Sequence, residues 1–166
     1  MKPRLRMLTL YYAAQARNYL VVGTSNKSEI SVGYSTKHGD NAVDLQILGD
    51  LLKQDVYALA RYLQVPDLII NKPPSGGLWV GQTDEAEMGF TYQQLDAYLS
   101  SGQGDAEVIA RIEAMMKANQ HKQHLPKVAE IKAELLATNP LGVLMSGSGP
   151  TVFGAYPTRE TAAGAA

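Results

Sequence analysis

The sequence has no cysteine, which excludes a disulfide framework and a thiolate zinc site and suits a reducing cytoplasm. It also has no apolar run long enough to span a bilayer, so we expect no membrane partner. Neither charge is in excess: 15 Lys and Arg residues stand against 16 Asp and Glu residues, for a formal net charge of -1. Without a basic field to attract phosphate backbones, nucleic acid is not an expected partner. These absences favour a cytoplasmic protein whose partners are small molecules or other proteins.

The apolar content is sufficient for a globular core, because 45% of the 166 residues are hydrophobic and 19% are charged. Apolar residues recur at helical spacing near the start of the chain, at Leu5, Leu8, Tyr12 and Ala16. This spacing predicts an amphipathic helix over 3–18, followed by a short apolar strand over 19–24. A second repeat predicts a helix over 49–64, and the apolar run 66–70 predicts another buried strand.

Turn and cap signals organise the middle of the chain. Residues 71–90 contain two Pro and four Gly without periodicity, which is typical of a long loop that closes over a ligand. Thr91 and Gln94 form a capping-box signature for a helix over 92–100. Apolar spacing predicts a further helix over 105–120.

The last forty residues predict a helix and two strands. Pro126 suits the first turn of a helix that stops before Asn139. Strands over 142–145 and 151–156 flank the glycine-rich stretch MSGSGPTVFG. This stretch is similar to a phosphate cradle, but no Lys follows it as in a Walker motif, so we interpret it as a tight turn with solvated serines. The order of elements predicts an α/β fold.

Candidate chemistry concentrates in residues 23–44, GTSNKSEISVGYSTKHGDNAVD. Several hydrogen-bond donors and one carboxylate directly follow the predicted strand, at Thr24, Asn26, Lys27, Ser28 and Glu29. Such a group suits phosphate, ribose and a magnesium ion. The alternative from composition alone is a solvated turn with a helix N-cap.

Longer strings resemble one enzyme family. GTSNKSEISVGYSTKHGD, IINKPPSGGLW, GQTDEAEMGFTYQQLD and RIEAMMKANQHK are similar to the C-terminal half of ammonia-dependent NAD synthetase, over residues 2 to about 126. The resemblance implies a ligase that uses ATP to adenylate the nicotinate carboxylate of deamido-NAD, after which ammonia displaces AMP to give NAD. It also implies a truncated Rossmann-like fold of the adenine nucleotide alpha-hydrolase type, a parallel sheet with helices. Homodimerisation is implied as well, and we expect the helix with Tyr11 and Tyr12 at the subunit interface.

Site roles come from the matched strings. The resemblance implies that ATP is held by Thr24, Lys53 and Ser75, and that Glu29 is the ligand of Mg²⁺, the expected metal cofactor. It implies contacts to deamido-NAD at Arg4, Lys37, Asp44, His121 and Lys122. No catalytic residue is assigned.

Each of these assignments has a plainer alternative. Arg6 lies one helical step from Arg4 and is the other candidate for its role. Lys53 could be a helix-surface lysine, and His121 and Lys122 could be cations favoured near a helix C terminus.

The predicted loop 71–90 also matches the family. The resemblance implies that Asp84 and Glu85 lie in a mobile segment that covers the adenylate and excludes water. Trp79, in the same segment, either covers a ligand or pins the loop as a hydrophobic anchor.

Departures from the family pattern are as informative as the matches. No SGGxDS phosphate loop is present, so the N-terminal half and its second magnesium-binding carboxylate are expected to be missing. Ile47 replaces the family's usual Pro, which bears on the path of the chain at Asp44. Residues 127–166 resemble instead the C-terminal end of 4-diphosphocytidyl-methylerythritol kinase, a GHMP kinase, with LMSGSGPTVFG as its third motif. The predicted organisation is a synthetase-like region over 1–126 and a strand-turn-strand kinase-like tail over 127–166.

Four functional hypotheses follow from this organisation. The first is ATP-dependent amidation of deamido-NAD, by a chain that is incomplete for the reaction. The second is a non-catalytic module that binds the dinucleotide. The third is a fragment that aggregates because a truncated parallel sheet exposes an edge. The fourth is a fragment of a GHMP kinase.

Overall fold

The computed structural model describes residues 1–124, Ala137, and two strands at 142–145 and 152–155. The chain divides into two compact units, Met1–Gln123 and His124–Ala166. The first unit contains seven α-helices and a 3₁₀ turn among its residues: α1 (Lys2–Arg17), α2 (Lys27–Val32), α3 (Lys53–Tyr62), α4 (Asp67–Ile70), α5 (Asp84–Met88), α6 (Tyr92–Ser101), α7 (Ala106–Asn119) and the turn Gln120–Lys122. In the described ranges, no helix is both long and apolar enough to cross a membrane.

Two short sheets complete the described structure. In the first unit, β1 (Val22–Gly23) pairs in parallel with β2 (Leu45–Gln46). In the second unit, β3 (Gly142–Met145) pairs antiparallel with β4 (Val152–Ala155). The α/β class is therefore confirmed, and so is the strand pair in the tail. The predicted turn between these strands, and most of the helix predicted from Pro126, lie outside the described residues.

Local caps define the starts of two helices, and the one at Thr91 and Gln94 was predicted from the sequence. The Thr91 side chain accepts from the Gln94 backbone at the start of α6, and the Gln94 side chain accepts from the Thr91 N–H. Asp105 accepts from two backbone N–H groups at the start of α7. Since each cap satisfies donors that the helix itself cannot, these boundaries follow from nearby residues alone.

Other predicted elements are wrong or shorter. Within the predicted strand 66–70, Asp67–Ile70 form α4 instead, and Leu68 is 87% exposed. Pro66 at the N-cap and an acid in the first turn favour a helix, which a short apolar run cannot distinguish from a strand. The predicted strand 19–24 is reduced to β1, because only two residues find pairing partners.

The predicted loop 71–90 contains a helix, α5. The polar stretch after β1, for which the sequence predicts no element, forms α2. The second predicted helix begins at Lys53 rather than residue 49. In α1 the expected apolar stripe is exposed, with Leu8 at 61% and Tyr12 at 80%.

The core lies where α2, α6 and α7 pack around the end of α5. Its buried members are Val32, Met88, Phe90, Tyr92, Leu95 and Ile112. Leu95 and Ile112 are fully buried. This cluster fixes α2 and α6 against each other, and these two helices supply the polar side chains of the site described next.

Candidate active site

Glu29 is held at the N terminus of α2 by a complete capping box. The Asn26 side chain accepts from the Glu29 backbone N–H at 3.0 Å, and Glu29 Oε2 accepts from the Asn26 N–H at 3.1 Å. Asn26 is almost fully buried. The carboxylate of Glu29 therefore has one oxygen committed to the cap and one, Oε1, turned toward neighbouring helices.

Lys53, the first residue of α3, places its ammonium against that second oxygen. Its Nζ lies 3.1 Å from Glu29 Oε1 and 4.5 Å from the centre of the Tyr92 ring. The two charged side chains are 15% and 17% exposed. Lys53 is therefore not a helix-surface lysine, because it is paired with a carboxylate and stacked on an aromatic face.

Two tyrosine hydroxyls link the Glu29 carboxylate to those of Asp84 and Glu87. Tyr92 donates to Asp84 Oδ2 at 2.9 Å and lies 3.2 Å from Glu29 Oε1. The Tyr34 hydroxyl lies 3.1 Å from Asp84 Oδ1 and also contacts Glu87. Burial, reinforced by these negative neighbours, raises the pKa of both phenols well above the usual value. Both hydroxyls therefore stay protonated and act as donors.

A cavity of about 410 Å³ opens over this cluster. It is lined by all of the residues to which the family resemblance assigns ATP or metal, Thr24, Glu29, Lys53 and Ser75. Lys72 adds a second cation, and Asp84 a second carboxylate. The lining thus combines hydroxyls, ammonium groups and carboxylates, a set that suits a phosphorylated ligand with a divalent cation.

The residues assigned to deamido-NAD are only partly brought together. Arg4 Nε donates to the Lys37 carbonyl at 3.1 Å, and Lys37 Nζ lies 3.4 Å from His121 Nδ1. Asp44 instead accepts from the Val21 N–H beside β1 at 2.7 Å. Two cationic side chains and the His121 imidazole therefore form one cluster, and the acid lies beside the sheet.

Lys122 has a structural role in the described unit. Its ammonium donates to the carbonyls of Gly33 and Ser35 at 2.8 and 2.9 Å. Burial lowers the pKa of Lys122, and the nearby Asp40 carboxylate opposes this effect. The side chain thereby ties the end of α7 to the segment after α2, and it lines a second cavity of about 450 Å³.

The second cavity is closed on one side by the start of α1. Arg6, the alternative to Arg4, lines it and donates to the carbonyls of Gly76 and Gly77 at 3.1 and 3.3 Å. The glycine-rich part of the predicted loop is thus held by α1. Trp79 is 55% exposed, so it does not serve as a buried anchor.

The two acids of the predicted covering segment lie in α5. Asp84 is 6% exposed and belongs to the tyrosine cluster. Glu85 Oε1 accepts from the Tyr92 backbone N–H at 2.9 Å. Both therefore organise the first turn of α6 beneath the cavity. Among the described residues, no group of three or more His, Asp or Glu side chains has metal-binding geometry.

Sequence reasoning missed Tyr34, Tyr92 and Asp96 as members of this region. Tyr92 follows the cap residue of α6 and carries no motif of its own. Its contact with Glu29 spans 63 residues of sequence. Only the packing of α6 on α2 reveals it.

Comparison with known proteins identifies the first unit. A family model described as NAD synthase matches residues 1–126. The chain belongs to the NAD synthase family. A second model, GHMP kinases C terminal, matches residues 98–166 and so overlaps the NAD synthase region.

Two curated NH(3)-dependent NAD(+) synthetases are similar to this chain over most of its length. The NH(3)-dependent NAD(+) synthetase of Syntrophomonas wolfei subsp. wolfei is 68% identical over 134 residues, covering 81% of this chain and 54% of the relative. The Carboxydothermus hydrogenoformans protein of the same name is 54% identical over 127 residues, covering 76% and 52%. The chain therefore spans about half the length of these relatives.

Solved structures agree on the fold. The NMN synthetase of Francisella tularensis matches with a TM-score of 0.72 and 47% identity, over 74% of this chain and 52% of that one. The NH3-dependent NAD synthetase of Campylobacter jejuni, solved with a nitrate ion, matches with a TM-score of 0.59 and 32% identity, over 76% and 52%. The Rossmann-like NAD synthase fold predicted for the first unit is confirmed.

Proposed function

We propose that this chain provides the nucleotide site of an ammonia-dependent NAD synthetase, which amidates deamido-NAD at the expense of ATP. One observation supports this most strongly: Thr24, Glu29, Lys53 and Ser75, assigned separately by motif, line one cavity. The names of the relatives that match at 68% and 54% identity agree with it. The proposal includes a homodimer in the cytoplasm, with Tyr11 and Tyr12 of α1 near the interface.

In this proposal the cavity over Lys53 takes ATP. The ammonium keeps further N–H groups beyond its contact with Glu29, and these donate to phosphate oxygens. Thr24 and Ser75 contribute hydroxyls from the end of β1 and from the segment before α5. This ammonium group and these hydroxyls complement the negative charge of a triphosphate and of departing pyrophosphate.

Magnesium fits the same cavity. Glu29 and Asp84 both line it, and they are joined through the Tyr92 hydroxyl. Carboxylate oxygens are the ligands that Mg²⁺ prefers, and one or two of them suffice when phosphates complete the shell. We assign Glu29 as the ligand, with Asp84 beside it. Bound there, magnesium supplies positive charge that offsets the triphosphate.

Deamido-NAD is assigned to the cluster formed by Arg4, Lys37 and His121. Arg4, Lys37 and His121 suit its phosphates, since guanidinium and ammonium groups pair well with phosphate oxygens. Lys122 contributes its remaining N–H and the position of the segment 33–35. Asp44 contributes a carboxylate for a ribose hydroxyl.

The test is ligand-dependent thermal unfolding of the purified chain. A ligand that binds only the folded state raises the unfolding midpoint, by about 2.7 kcal/mol of stabilisation at 100 times its dissociation constant. We expect Mg-ATP to raise the midpoint of the unmodified chain and to lose most of this effect in Lys53→Met. Lys117→Met, on the exposed side of α7, is the matched control and should respond like the unmodified chain.

Three outcomes would reject parts of the proposal. Equal Mg-ATP responses in Lys53→Met and Lys117→Met would reject the ATP assignment. A midpoint that rises with deamido-NAD and Mg-ATP, without ATP-dependent release of AMP, would favour the non-catalytic binding module over the ligase. A chain with no cooperative transition would favour the aggregating fragment.

A second candidate reaction is amidation of the mononucleotide. The Francisella tularensis relative is named an NMN synthetase and has the higher TM-score of the two structures compared. The same cavity would serve, because the ATP half of the reaction is identical in the two cases. Comparing the midpoint shifts from deamido-NAD and from nicotinate mononucleotide decides between the two substrates.

A further inference from the structure

Asp96 is a buried carboxylate that the proposed site does not use. It lies in α6, is 2% exposed, and is not among the residues lining either cavity in the described unit. Its Oδ2 accepts from the Gln54 backbone N–H at 2.9 Å, and its Oδ1 accepts from the Ser28 hydroxyl. A carboxylate so deeply buried needs such partners, because burial without them is costly.

Ser28 extends this network to the start of α3. It is fully buried, and its Oγ accepts from the Lys53 backbone N–H at 2.9 Å while donating to Asp96. The first two backbone N–H groups of α3 thus donate hydrogen bonds to side chains from α2 and α6. The N-cap residue itself, Leu52, has no side-chain acceptor to offer. The position of the first turn of α3 is therefore set by Ser28 and Asp96.

The same network connects the three helices that supply the charged cluster. Ser28 directly precedes Glu29 on α2, Lys53 begins α3, and Tyr92 lies one turn before Asp96 on α6. The lysine ammonium is 3.1 Å from the Glu29 carboxylate and 4.5 Å from the Tyr92 ring centre. Holding both distances with a flexible lysine side chain requires that its backbone be fixed relative to both neighbours.

We propose that Asp96 is a positioning residue which, through Ser28 and the first turn of α3, holds the Lys53 ammonium against Glu29. Its effect on nucleotide affinity rests on the function proposed above. Its effect on the Lys53–Glu29 pair does not.

The first variant is Asp96→Asn. The amide keeps the size of the side chain but retains a single accepting oxygen, so Ser28 or Gln54 loses its acceptor. We expect the Mg-ATP dissociation constant to rise roughly tenfold, the lower end of the cost of losing an orienting partner. The deamido-NAD dissociation constant should stay within twofold, which corresponds to a change of about 0.4 kcal/mol in binding free energy.

The matched control is Ile112→Val. This residue is also fully buried in the same core, but it lies on α7 and not in the network that begins α3. The variant lowers stability without changing the network, so its Mg-ATP affinity should equal that of the unmodified chain. If Ile112→Val weakens Mg-ATP binding as much as Asp96→Asn, the effect is one of general stability and the proposal is overturned.

A second measurement needs no nucleotide. The effect of Lys53→Met on unfolding free energy is compared in the unmodified chain and in Asp96→Asn, with Ser28→Ala as a milder second background. If Asp96 holds the ion pair, Lys53→Met costs less in either background than alone. Additive effects in both backgrounds overturn the proposal. Absence of Mg-ATP binding by the unmodified chain would reject the proposed function. The coupling between Lys53→Met and Asp96→Asn in unfolding free energy would still decide the role of Asp96.

Discussion

Removing the hydroxyl of Tyr92 tests whether this phenol joins the carboxylates of the site. Its ring is 5% exposed, and the hydroxyl donates to Asp84 Oδ2 at 2.9 Å. Tyr92→Phe keeps the ring under Lys53 but removes the donor. A hydrogen bond to a charged group contributes about 1.5–3 kcal/mol, so we expect a loss of about 2 kcal/mol at pH 7.

The alkaline pH dependence supplies an independent magnitude. The folded-state pKa of Tyr92 is raised above its usual value of 10.0 by burial and by the nearby Glu29 and Asp84 charges. The stability that this shift contributes is therefore fully present below pH 10 and is lost as the pH rises toward the folded-state pKa. In that range the unfolded chain ionises and the folded chain does not, which removes about 1.4 kcal/mol per pH unit.

The two effects combine into one curve. Because Tyr92→Phe has no phenol to ionise at this position, its free energy of unfolding does not undergo this alkaline loss. A difference of about 2 kcal/mol at pH 7 is then cancelled about 1.5 units above pH 10, and the two stabilities meet near pH 11.5. Tyr34, whose pKa is also raised, affects both chains alike.

The assay is urea unfolding followed by circular dichroism between pH 7 and pH 11.5. Tyr62→Phe, on a ring that is 82% exposed, is the control and should follow the unmodified chain at every pH. A stability difference between Tyr92→Phe and the unmodified chain that stays constant up to pH 11.5 would refute the reasoning. It would mean that the phenol is not held protonated among the carboxylates.

Substitutions at three further positions test the fold around the site by urea unfolding. Gly89→Ala should cost about 1–3 kcal/mol, because the residue has φ +77° and a Cβ would lie 2.3 Å from Arg111 Cζ; a neutral result would contradict this close approach. Asp105→Ala removes the acceptor for two N–H groups of α7 and should cost about 1 kcal/mol, whereas Asp105→Asn, which retains an acceptor, should cost less. Leu95→Ala empties a fully buried position and should cost about 2–5 kcal/mol; a loss below 1 kcal/mol would place Leu95 outside the core.

Helices with polar caps could be predicted from nearby residues. Thr91 and Gln94 mark the start of α6, and apolar spacing marks α7 within one residue of its observed bounds. Such signals work because the hydrogen bonds that end a helix are made within about four residues. Short apolar runs lack such a signal, which is why residues 66–70 were assigned the wrong element.

The candidate site could be predicted only as a set of separate motif residues. Family strings selected Thr24, Glu29, Lys53 and Ser75, and the fold brings them to one cavity. The same strings grouped Asp44 with Arg4, Lys37 and His121 for deamido-NAD, whereas in the fold its carboxylate accepts from a backbone N–H beside β1.

The sequence by itself determined the family, the capping box that begins α6, the extent of α7, and the residue types that suit a nucleotide. Each of these depends on neighbours a few positions apart or on a contiguous string. Only the tertiary structure decided that Tyr92 lies between Glu29 and Asp84. It also decided that Ser28 and Asp96, from two other helices, accept hydrogen bonds from the first turn of α3. Those contacts and the Ser28–Asp96 hydrogen bond join residues up to 68 positions apart, and they depend on the packing of the apolar faces of α2, α6 and α7 into one core.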